Sequence, residues 1–229
     1  MNILYEDNHL IAVEKPVNIP VQGDESKDTS LFDMVKEDIK VRYQKPGAVY
    51  LGLLHRLDRP VGGAILFAKT SKAASRVSDL IRRQQMDKTY LAVVRGIPPE
   101  RAGTLEHYLW KDRQKNEVYV RKPGTEGAKH ALLTYETLAQ HNGLALVRIQ
   151  LLTGRSHQIR VQFAETGCPL YGDQKYGSSV NKPGEQIALW SARIGLTHPV
   201  KREPLEVLSS PPKEYPWNQF GQAAFSFLD

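Results

Sequence analysis

Three polar segments of this chain carry side chains that could do chemistry, and the first runs from His55 to Asp58. Asp58 lies between Arg56 and Arg59 in a turn that ends in glycine, so its carboxylate is expected to stay ionised. An aspartate beside proline and glycine more often only closes a turn. His55 is also open to two interpretations, because a histidine beside a strand is either a general base or ligand, or a hydrogen-bonded structural residue.

The second segment runs from Thr153 to Arg160 and places Arg155, His157 and a serine around the start of a predicted helix. Free backbone N–H groups at such a start, together with two guanidiniums, suit the binding of phosphate or carboxylate. A solvated, capped helix terminus explains the same residues equally well. Arginine is a better partner than lysine for a buried carboxylate, because its planar fork binds two oxygens and stays charged.

The third segment is a predicted strand from Lys88 to Val94, in which strand alternation places Tyr90 and Ala92 on one face. A tyrosine in such a strand usually belongs to the core. If its face opens on a cleft, the ring can instead stack on an extruded base, a contact worth roughly 1–3 kcal/mol.

Hydrophobic spacing predicts the elements that position these segments. A buried strand over Leu10 to Val13 stops at Lys15-Pro16, because proline cannot donate a ladder hydrogen bond. The other predicted elements are a helix through Leu31, Val35 and Ile39 capped by Ser30, a buried strand from Gly63 to Ala68, an amphipathic helix from Ser71, a hairpin of Leu132–Leu138 and Leu144–Leu152 around Asn142-Gly143, a helix from His157 to Glu165 and a strand from Ile187 to Leu196.

Two stretches lack clear periodicity. The segment from Gly103 to Lys129 is predicted to contain strand fragments that are joined by a mobile basic loop. The proline-rich segment from Pro199 to Pro216 is predicted to form an extended tail on the surface. Because hairpins are frequent among the strands, the sequence predicts an α+β fold with a mixed, largely antiparallel central sheet flanked by helices and loops.

Composition narrows the class of protein. The chain has 229 residues, which are expected to form one domain over 1–229. It contains 31 Lys and Arg residues and 25 Asp and Glu residues, which give a formal charge of +6. This positive charge favours contact with a polyanion. The single Cys168 excludes an intrachain disulfide and a zinc site of several thiolates, and a reducing cytoplasm suits it. No signal peptide or membrane-spanning segment is recognisable, so we expect a soluble protein with no membrane partner.

Taken in order, the polar segments resemble the RluA family of pseudouridine synthases, which modify uridines of ribosomal and transfer RNA. The resemblance rests on His55 to Asp58 ending in Gly63, on Lys88 to Gly96 and on Leu151 to Val161, with supporting matches at Ile3 to Asp7, Lys15-Pro16, Gly172-Asp173, Tyr176-Gly177 and Thr197 to Pro199. It implies the pseudouridine synthase fold, in a stand-alone catalytic domain without the small N-terminal RNA-binding domain of several relatives.

The resemblance also implies roles for particular residues. Asp58 would be the essential catalytic aspartate, Tyr90 the aromatic residue that stacks on the target uracil, and Arg160 the cation that pairs with Asp58. Leu189 would form the apolar wall against the base. The remaining implied substrate-binding residues are His55, Arg56, Arg155 and His157.

The implied reaction is an isomerisation of uridine that uses no cofactor and no metal. Asp58 would act either as a nucleophile on the sugar or the base, or as a base that removes a sugar proton to give a glycal, and the sequence leaves these routes open. The target base must leave its stack, which costs least in loops and bulges of structured RNA.

The implied partner is ribosomal or transfer RNA, with no protein partner, and a monomer is the simplest state. Because no separate RNA-binding domain is recognisable, the chain itself is expected to bind RNA through a group of basic residues, called the basic group: Lys111, Arg113, Lys115, Arg121 and Lys122. The alternative is that these residues only form a solvated charged face.

The sequence is also compatible with two other functions. One is an RNA-binding module without catalysis, which would tolerate change at Asp58; the other is a hydrolase that uses Asp58 with His55 or His157 around a metal.

Overall fold

The computed structural model describes residues 1–24 and 26–224, and it divides into two compact units. The first unit comprises Met1–Asp87 and Arg193–Ser209, and the second comprises Lys88–Ala192 and the segment that begins at Ser210. The chain therefore passes from the first unit to the second twice. The expectation of a single domain over the whole chain stays a prediction.

The first unit is built on antiparallel strand pairs. Its strands are β1 (Ile3–Glu6), β2 (Leu10–Lys15), β3 (Gly52–Leu53), β4 (Gly62–Ala68), the second half of β10 (Leu189–Thr197) and β11 (Pro204–Leu208). They lie in the order β1-β2-β4-β10, with β3 paired to β4 and β11 paired to β10. In the β2–β4 register, Leu10 lies opposite Ala68 and Lys15 opposite Gly63. The end of β2 is thereby fixed beside the start of β4.

Two helices of the first unit begin at caps that match their sequence. They are α1 (Leu31–Arg42) and α2 (Ser71–Arg82). The Ser30 side chain accepts a hydrogen bond from the Asp33 amide, and the Thr70 side chain accepts one from the Ala73 amide, so each cap satisfies a backbone donor that has no partner within its helix. The predicted apolar stripe of α1 is buried, and the predictions of both helices are confirmed.

The second unit is an antiparallel sheet, and the residues that the structure describes add one α-helix and a 3₁₀ segment to it. Its elements are β5 (Met86–Arg95), β6 (Ala102–Asp112), β7 (Glu117–Arg121), β8 (Lys129–His141), β9 (Leu144–Leu151), α3 (Gln158–Glu165), the first half of β10 and a 3₁₀ segment (Trp217–Ala224). The strands β5 to β9 lie in the order β5-β9-β8-β6-β7. Asn142 and Gly143 have φ values of 48° and 74°, as a tight hairpin turn requires, so the predicted hairpin is confirmed.

The predicted α+β class with largely antiparallel pairing is confirmed, but three details of the prediction are wrong. The segment from Gly103 to Lys129 contains a regular β6–β7 hairpin rather than strand fragments. The expected surface tail after Pro199 contains β11, because Leu205 and Val207 alternate as buried residues behind a proline that is tolerated at the first strand position. Helix α3 begins at Gln158, because His157 has a left-handed φ of 49°.

Within the described ranges, none of the helices has the length and apolar character that crossing a lipid bilayer demands.

A polar cluster joins β1 to the turn between β10 and β11 in the first unit. Asp7 Oδ1 accepts hydrogen bonds of 2.8 Å from the amides of both His9 and Leu10. Its Oδ2 lies 3.0 Å from Nε2 of His198, whose other ring nitrogen accepts hydrogen bonds from the amides of Val200 and Lys201. A carboxylate is thus the central acceptor of this corner of the fold.

We predict that Asp7→Asn makes the protein less stable at neutral pH. Burial by itself would raise the pKa of Asp7, but hydrogen bonds from the amides of His9 and Leu10 and from the side chains of Lys201 and Tyr5 outweigh it and hold the pKa well below its usual range. Because the folded-state pKa is lowered, the carboxylate stabilises the fold above the pKa of an unfolded aspartate, about 4, and this stabilisation is lost as the pH falls through the lowered value.

Urea unfolding should give a free energy of unfolding about 1–2 kcal/mol lower for Asp7→Asn than for the wild type at pH 7. The difference should shrink at pH 3. An equal difference at both pH values would show that the charge of Asp7 is not what stabilises this corner.

Candidate functional site

The segment that carries Asp58 is a closed turn of the first unit, directly before β4. The Val61 amide donates a 3.0 Å hydrogen bond to the Asp58 carbonyl oxygen, and Gly63 has a φ of 109°, which strongly favours glycine. The Asp58 side chain is half-buried. The turn therefore has both features that the sequence predicts, a tight backbone and a carboxylate at its start.

The neighbouring Arg59 is held by an acidic loop. Its guanidinium forms ion pairs with Asp24, at 3.3 Å, and with Asp28, and it donates a 2.8 Å hydrogen bond to the Ser26 hydroxyl. Asp24, Ser26 and Asp28 are exposed and Arg59 is half-buried, so the contribution of these contacts to stability is small. Their effect is to fix the direction of the Arg59 side chain.

Lys15 is a residue of this site that sequence reasoning missed. It is completely buried, and its Nζ donates hydrogen bonds to the carbonyl oxygens of Pro16, at 2.8 Å, and Arg59, at 2.9 Å. Burial lowers the pKa of Lys15 to about 7, although the nearby Asp58 carboxylate opposes this shift. A buried ammonium thus ties the end of β2 to the Asp58 turn. The sequence gives one sign of it, a lysine directly before the proline that ends a buried strand.

The other two predicted residues of this segment differ in their surroundings. His55 Nε2 accepts a 3.1 Å hydrogen bond from the Leu66 amide of β4, which is the contact expected of a structural histidine. Arg56 is exposed, and it makes no ion pair or hydrogen bond with the residues that the structure describes. A substrate-binding role for either residue stays a prediction.

Arg160, in the first turn of α3 in the second unit, is a buried cation with a buried partner. Its Nε and Nη2 each donate a 2.8 Å hydrogen bond to Asp173, one to each carboxylate oxygen. Burial by itself would raise the pKa of Asp173, but the Arg160 guanidinium and the amides of Lys175 and Tyr176 lower it. The predicted pairing of Arg160 with Asp58 stays a prediction. Asp173 was noticed only as part of a supporting motif.

Tyr176 connects this ion pair to the β6–β7 hairpin. The Arg160 guanidinium lies 5.2 Å from the centre of the Tyr176 ring, within cation–π range. The Tyr176 hydroxyl accepts a 2.8 Å hydrogen bond from the Val118 amide of β7 and forms one of 2.6 Å with His157 Nδ1. His157 therefore has a structural contact, and its predicted role in substrate binding stays a prediction.

Gln158 shapes the loop between β9 and α3. Its side-chain oxygen accepts hydrogen bonds from the Thr153 hydroxyl, at 2.8 Å, and from the Arg155 amide, at 3.0 Å, while its side-chain nitrogen donates to the Leu132 carbonyl oxygen. The exposed Arg155 is attached at one point, where its Nε donates to the His130 carbonyl oxygen. Sequence reasoning noticed the charged residues of this loop and missed the amide that orders it.

Tyr90 and Leu189 lie in neighbouring strands of the second unit. Tyr90 is opposite Ile149 in the β5–β9 pair, and its side chain is 6% exposed. Leu189 begins β10 and is 4% exposed. Both residues are therefore almost completely buried, which is compatible with a core role and with contact to an inserted base.

The predicted site residues fall into two groups. Asp58, His55 and Arg56 lie in the first unit with Lys15, whereas the second unit contains Tyr90, Arg155, His157, Arg160 and Leu189. That the two groups share one cavity stays a prediction. Over residues 1–24 and 26–224, histidine, cysteine and acidic side chains form no cluster of three or more that could hold a metal ion.

The chain matches known proteins along most of its length. The family model for RNA pseudouridylate synthases matches residues 9–165. An uncharacterized RNA pseudouridine synthase of Synechocystis is 33% identical over 224 residues, which cover 94% of this chain and 67% of that protein. An uncharacterized RNA pseudouridine synthase of Bacillus subtilis is 31% identical over 206 residues, covering 89% and 66%, and the ribosomal large subunit pseudouridine synthase C of Rickettsia prowazekii is 30% identical over 182 residues, covering 79% and 58%. The chain thus spans less than two thirds of each of the last two relatives, 66% of the first and 58% of the second.

Solved structures support the same fold. Human RNA pseudouridylate synthase domain containing 4 superposes with a TM-score of 0.78 at 24% identity, over 93% of this chain and 89% of that one. Human RNA pseudouridylate synthase domain containing 1 gives a TM-score of 0.73 at 24% identity, over 94% and 84%.

We predict that the stability contributed by Lys15 depends on pH. Because its folded-state pKa of about 7 lies below that of an unfolded lysine, about 10.4, the unfolded chain binds more protons between these values, and the free energy of unfolding rises with pH across this window. In urea unfolding, the advantage of the wild type over Lys15→Met should therefore be larger at pH 9 than at pH 6.5. The exposed-lysine control Lys72→Met should show no such change, and a pH-independent effect of Lys15→Met would contradict the assignment.

We also predict that Asp173→Asn strongly destabilises the protein, because it leaves the buried Arg160 guanidinium without its two-point partner. The expected loss is about 3–5 kcal/mol in the free energy of unfolding, measured by chemical denaturation. The matched control is Glu206→Gln, which removes a carboxylate from the half-exposed pair with Arg193 and should cost less than about 1 kcal/mol. Similar losses in the free energy of unfolding for both variants would contradict the inference that burial makes the Arg160–Asp173 pair contribute more to stability than an exposed pair.

Proposed function

Because the chain belongs to the RNA pseudouridylate synthase family, we propose that it isomerises uridine to pseudouridine at specific sites of structured RNA. The family consists of isomerases that act on uridine in RNA. The observation that carries the proposal is the family match over residues 9–165, since this range spans Asp58, Tyr90 and Arg160.

The proposed reaction conserves every atom of the nucleotide except for exchange of protons. The bond between N1 of uracil and C1′ of the ribose breaks, the base rotates, and C5 forms a new bond to C1′. The proton of C5 is released and N1 gains one, so the step needs no oxidant, reductant or hydrolytic water. This balance makes a cofactor unnecessary, and we propose that none is used.

Asp58 is proposed as the essential catalytic residue, either as a nucleophile or as the base that forms a glycal. Both routes need an ionised carboxylate with a fixed position. The Lys15 ammonium and the hydrogen bond that closes the turn at Val61 supply rigidity and positive charge beside it. These contacts support the proposal because they lie within the same unit as Asp58.

Tyr90 is proposed to stack on the uracil ring and Leu189 to contact it from the neighbouring strand. A largely buried phenol ring and an apolar neighbour exclude water, which would otherwise intercept a cleaved intermediate. Arg160 is proposed to pair with the Asp58 carboxylate when the site is assembled. Its orientation is already fixed by Asp173, so it would lose little further conformational entropy.

The basic group is proposed to hold RNA phosphates. Residues 111–129 contain six lysines and arginines and three acidic residues, so they carry +3 of the total formal charge of +6. The basic group lies on the β6–β7 hairpin and the loop after it, and all five of its residues are exposed: Lys111, Arg113, Lys115, Arg121 and Lys122. Such a stripe suits sequence-independent attraction to a phosphate backbone.

We propose large-subunit ribosomal RNA as the substrate ahead of transfer RNA. The support is the names of two relatives, the ribosomal large subunit pseudouridine synthases C of Rickettsia prowazekii and of Salmonella typhimurium. We further propose that the chain works in the cytoplasm, as a monomer and without a protein partner.

The test measures tritium release from RNA labelled at C5 of uridine, taken from a strain that lacks the gene, in a buffer containing EDTA. The wild-type protein should release tritium, and carbodiimide mapping should locate one or a few new pseudouridines. Asp58→Asn should reduce the rate by at least about 10³-fold, as expected for loss of a nucleophile or base, whereas the exposed-aspartate control Asp87→Asn should keep it.

Full activity of Asp58→Asn would refute the catalytic assignment. Absence of activity only when EDTA is present would favour the metal-dependent alternative. RNA binding by the wild type without any isomerisation would favour an RNA-binding module.

A further inference from the structure

Lys88 lies on the same face of β5 as Tyr90. Side chains alternate along a strand, so residues two apart share a face and are separated by about 7 Å. Thr89 faces the other way and donates a 2.9 Å hydrogen bond to the Gln150 side chain. The Lys88 side chain is therefore directed to the side of the sheet on which the Tyr90 ring lies.

The Lys88 ammonium has no protein partner within the part of the chain that the structure describes. Its side chain is half-buried, and burial lowers its pKa without an opposing carboxylate. The buried cations Lys15 and Arg160 do have protein partners, since Lys15 donates to two carbonyl oxygens and Arg160 to both oxygens of Asp173. A partly desolvated cation without a partner costs free energy, which a bound anion would recover.

Gly154, in the loop that follows β9, lies beside this ammonium. A Cβ at Gly154 would lie 3.4 Å from Lys88 Nζ, so any side chain at that position would compete with an incoming group for the space beside the ammonium. Gly154 is exposed. The amides of Gly154 and Ser156 donate no hydrogen bond to any described residue, so two further donors are present in the same loop. An anion that binds in the space beside Gly154 would thus meet the Lys88 ammonium.

We propose that Lys88 binds the phosphate of the nucleotide whose base stacks on Tyr90. The inference rests on the proposed function, because RNA supplies the anion. An ammonium is a point charge that suits phosphate, and RNA carries one phosphate for each nucleotide. The separation of Lys88 and Tyr90 along the strand is comparable to that of a base and its own phosphate. Lys88 would thus position the flipped nucleotide by its backbone while Tyr90 holds its base.

The experiment is a double-substitution cycle that removes the cation and the anion separately. The RNA is an oligonucleotide that contains the mapped target uridine, with or without one neutral methylphosphonate at the phosphate 5′ or 3′ of that uridine. The proteins are the wild type, Lys88→Met, Lys88→Arg and the exposed-lysine control Lys72→Met. Binding is measured by filter retention over a range of salt concentrations, and turnover by tritium release.

We expect Lys88→Met to raise Kd and KM about tenfold, the value of one charge-assisted hydrogen bond, with a smaller change in kcat. The slope of log K against log salt should become shallower by about 0.7, as for loss of one phosphate contact to single-stranded RNA. One methylphosphonate should weaken binding of the wild type and of Lys72→Met by a similar factor and leave Lys88→Met unchanged. Lys88→Arg should recover most of the affinity and show that the loss is not a folding defect.

Equal effects of the methylphosphonate on the wild type and on Lys88→Met, at both positions, would overturn the inference. An unchanged salt slope in Lys88→Met would do the same and would point to contact with a uracil carbonyl group instead. If a target uridine is mapped and this coupling is absent, the proposed function stands and only the role of Lys88 falls. If no uridine is isomerised by the wild type, the proposed function itself fails.

Discussion

The cost of burying a charged side chain governs how both candidate segments are built. Lys15 is completely buried, and its Nζ donates hydrogen bonds to the carbonyl oxygen of Pro16, directly after β2, and to that of Arg59, in the Asp58 turn. Arg160 is also buried, and both oxygens of Asp173 receive its hydrogen bonds. A charge that is taken out of water must keep such partners, so neither segment can move without losing them. Rigidity of the segments that carry Asp58 and Arg160 follows directly.

The same constraint links Arg160 to the proposed RNA-binding residues of the second unit. Tyr176 contacts the Arg160 guanidinium through its ring and the Val118 amide through its hydroxyl, so the edge of the β6–β7 hairpin is attached to the buried ion pair. The exposed basic residues lie on this hairpin and the following loop. Long-range attraction to phosphate and exact placement of a cation are therefore assigned to different residues of one connected framework, an arrangement that suits a protein whose substrate is a large polyanion.

Much of the fold follows from local sequence, whereas the partners of buried charges do not. Asn142 and Gly143 predict their hairpin because few residue pairs tolerate two positive φ values. Strand β11 was missed because Pro204 and its neighbouring prolines conceal a short alternating run. Lys15 and Asp173 were recognised only as parts of motifs, since their partners are fixed by pairing between distant segments. Residue type and spacing indicate which groups are reactive, and tertiary contacts decide which charges are compensated.

Asp58, Tyr90 and Arg160 are proposed to act together on one extruded nucleotide. The most direct measurement is a crystal structure of the Asp58→Asn variant bound to RNA that contains the target uridine. The account predicts that the uracil has left its stack and lies against the Tyr90 ring, with the side chains of residues 58 and 160 within hydrogen-bonding distance of each other or of that nucleotide. A target base that remains stacked in the RNA, or that binds away from these three residues, would contradict it.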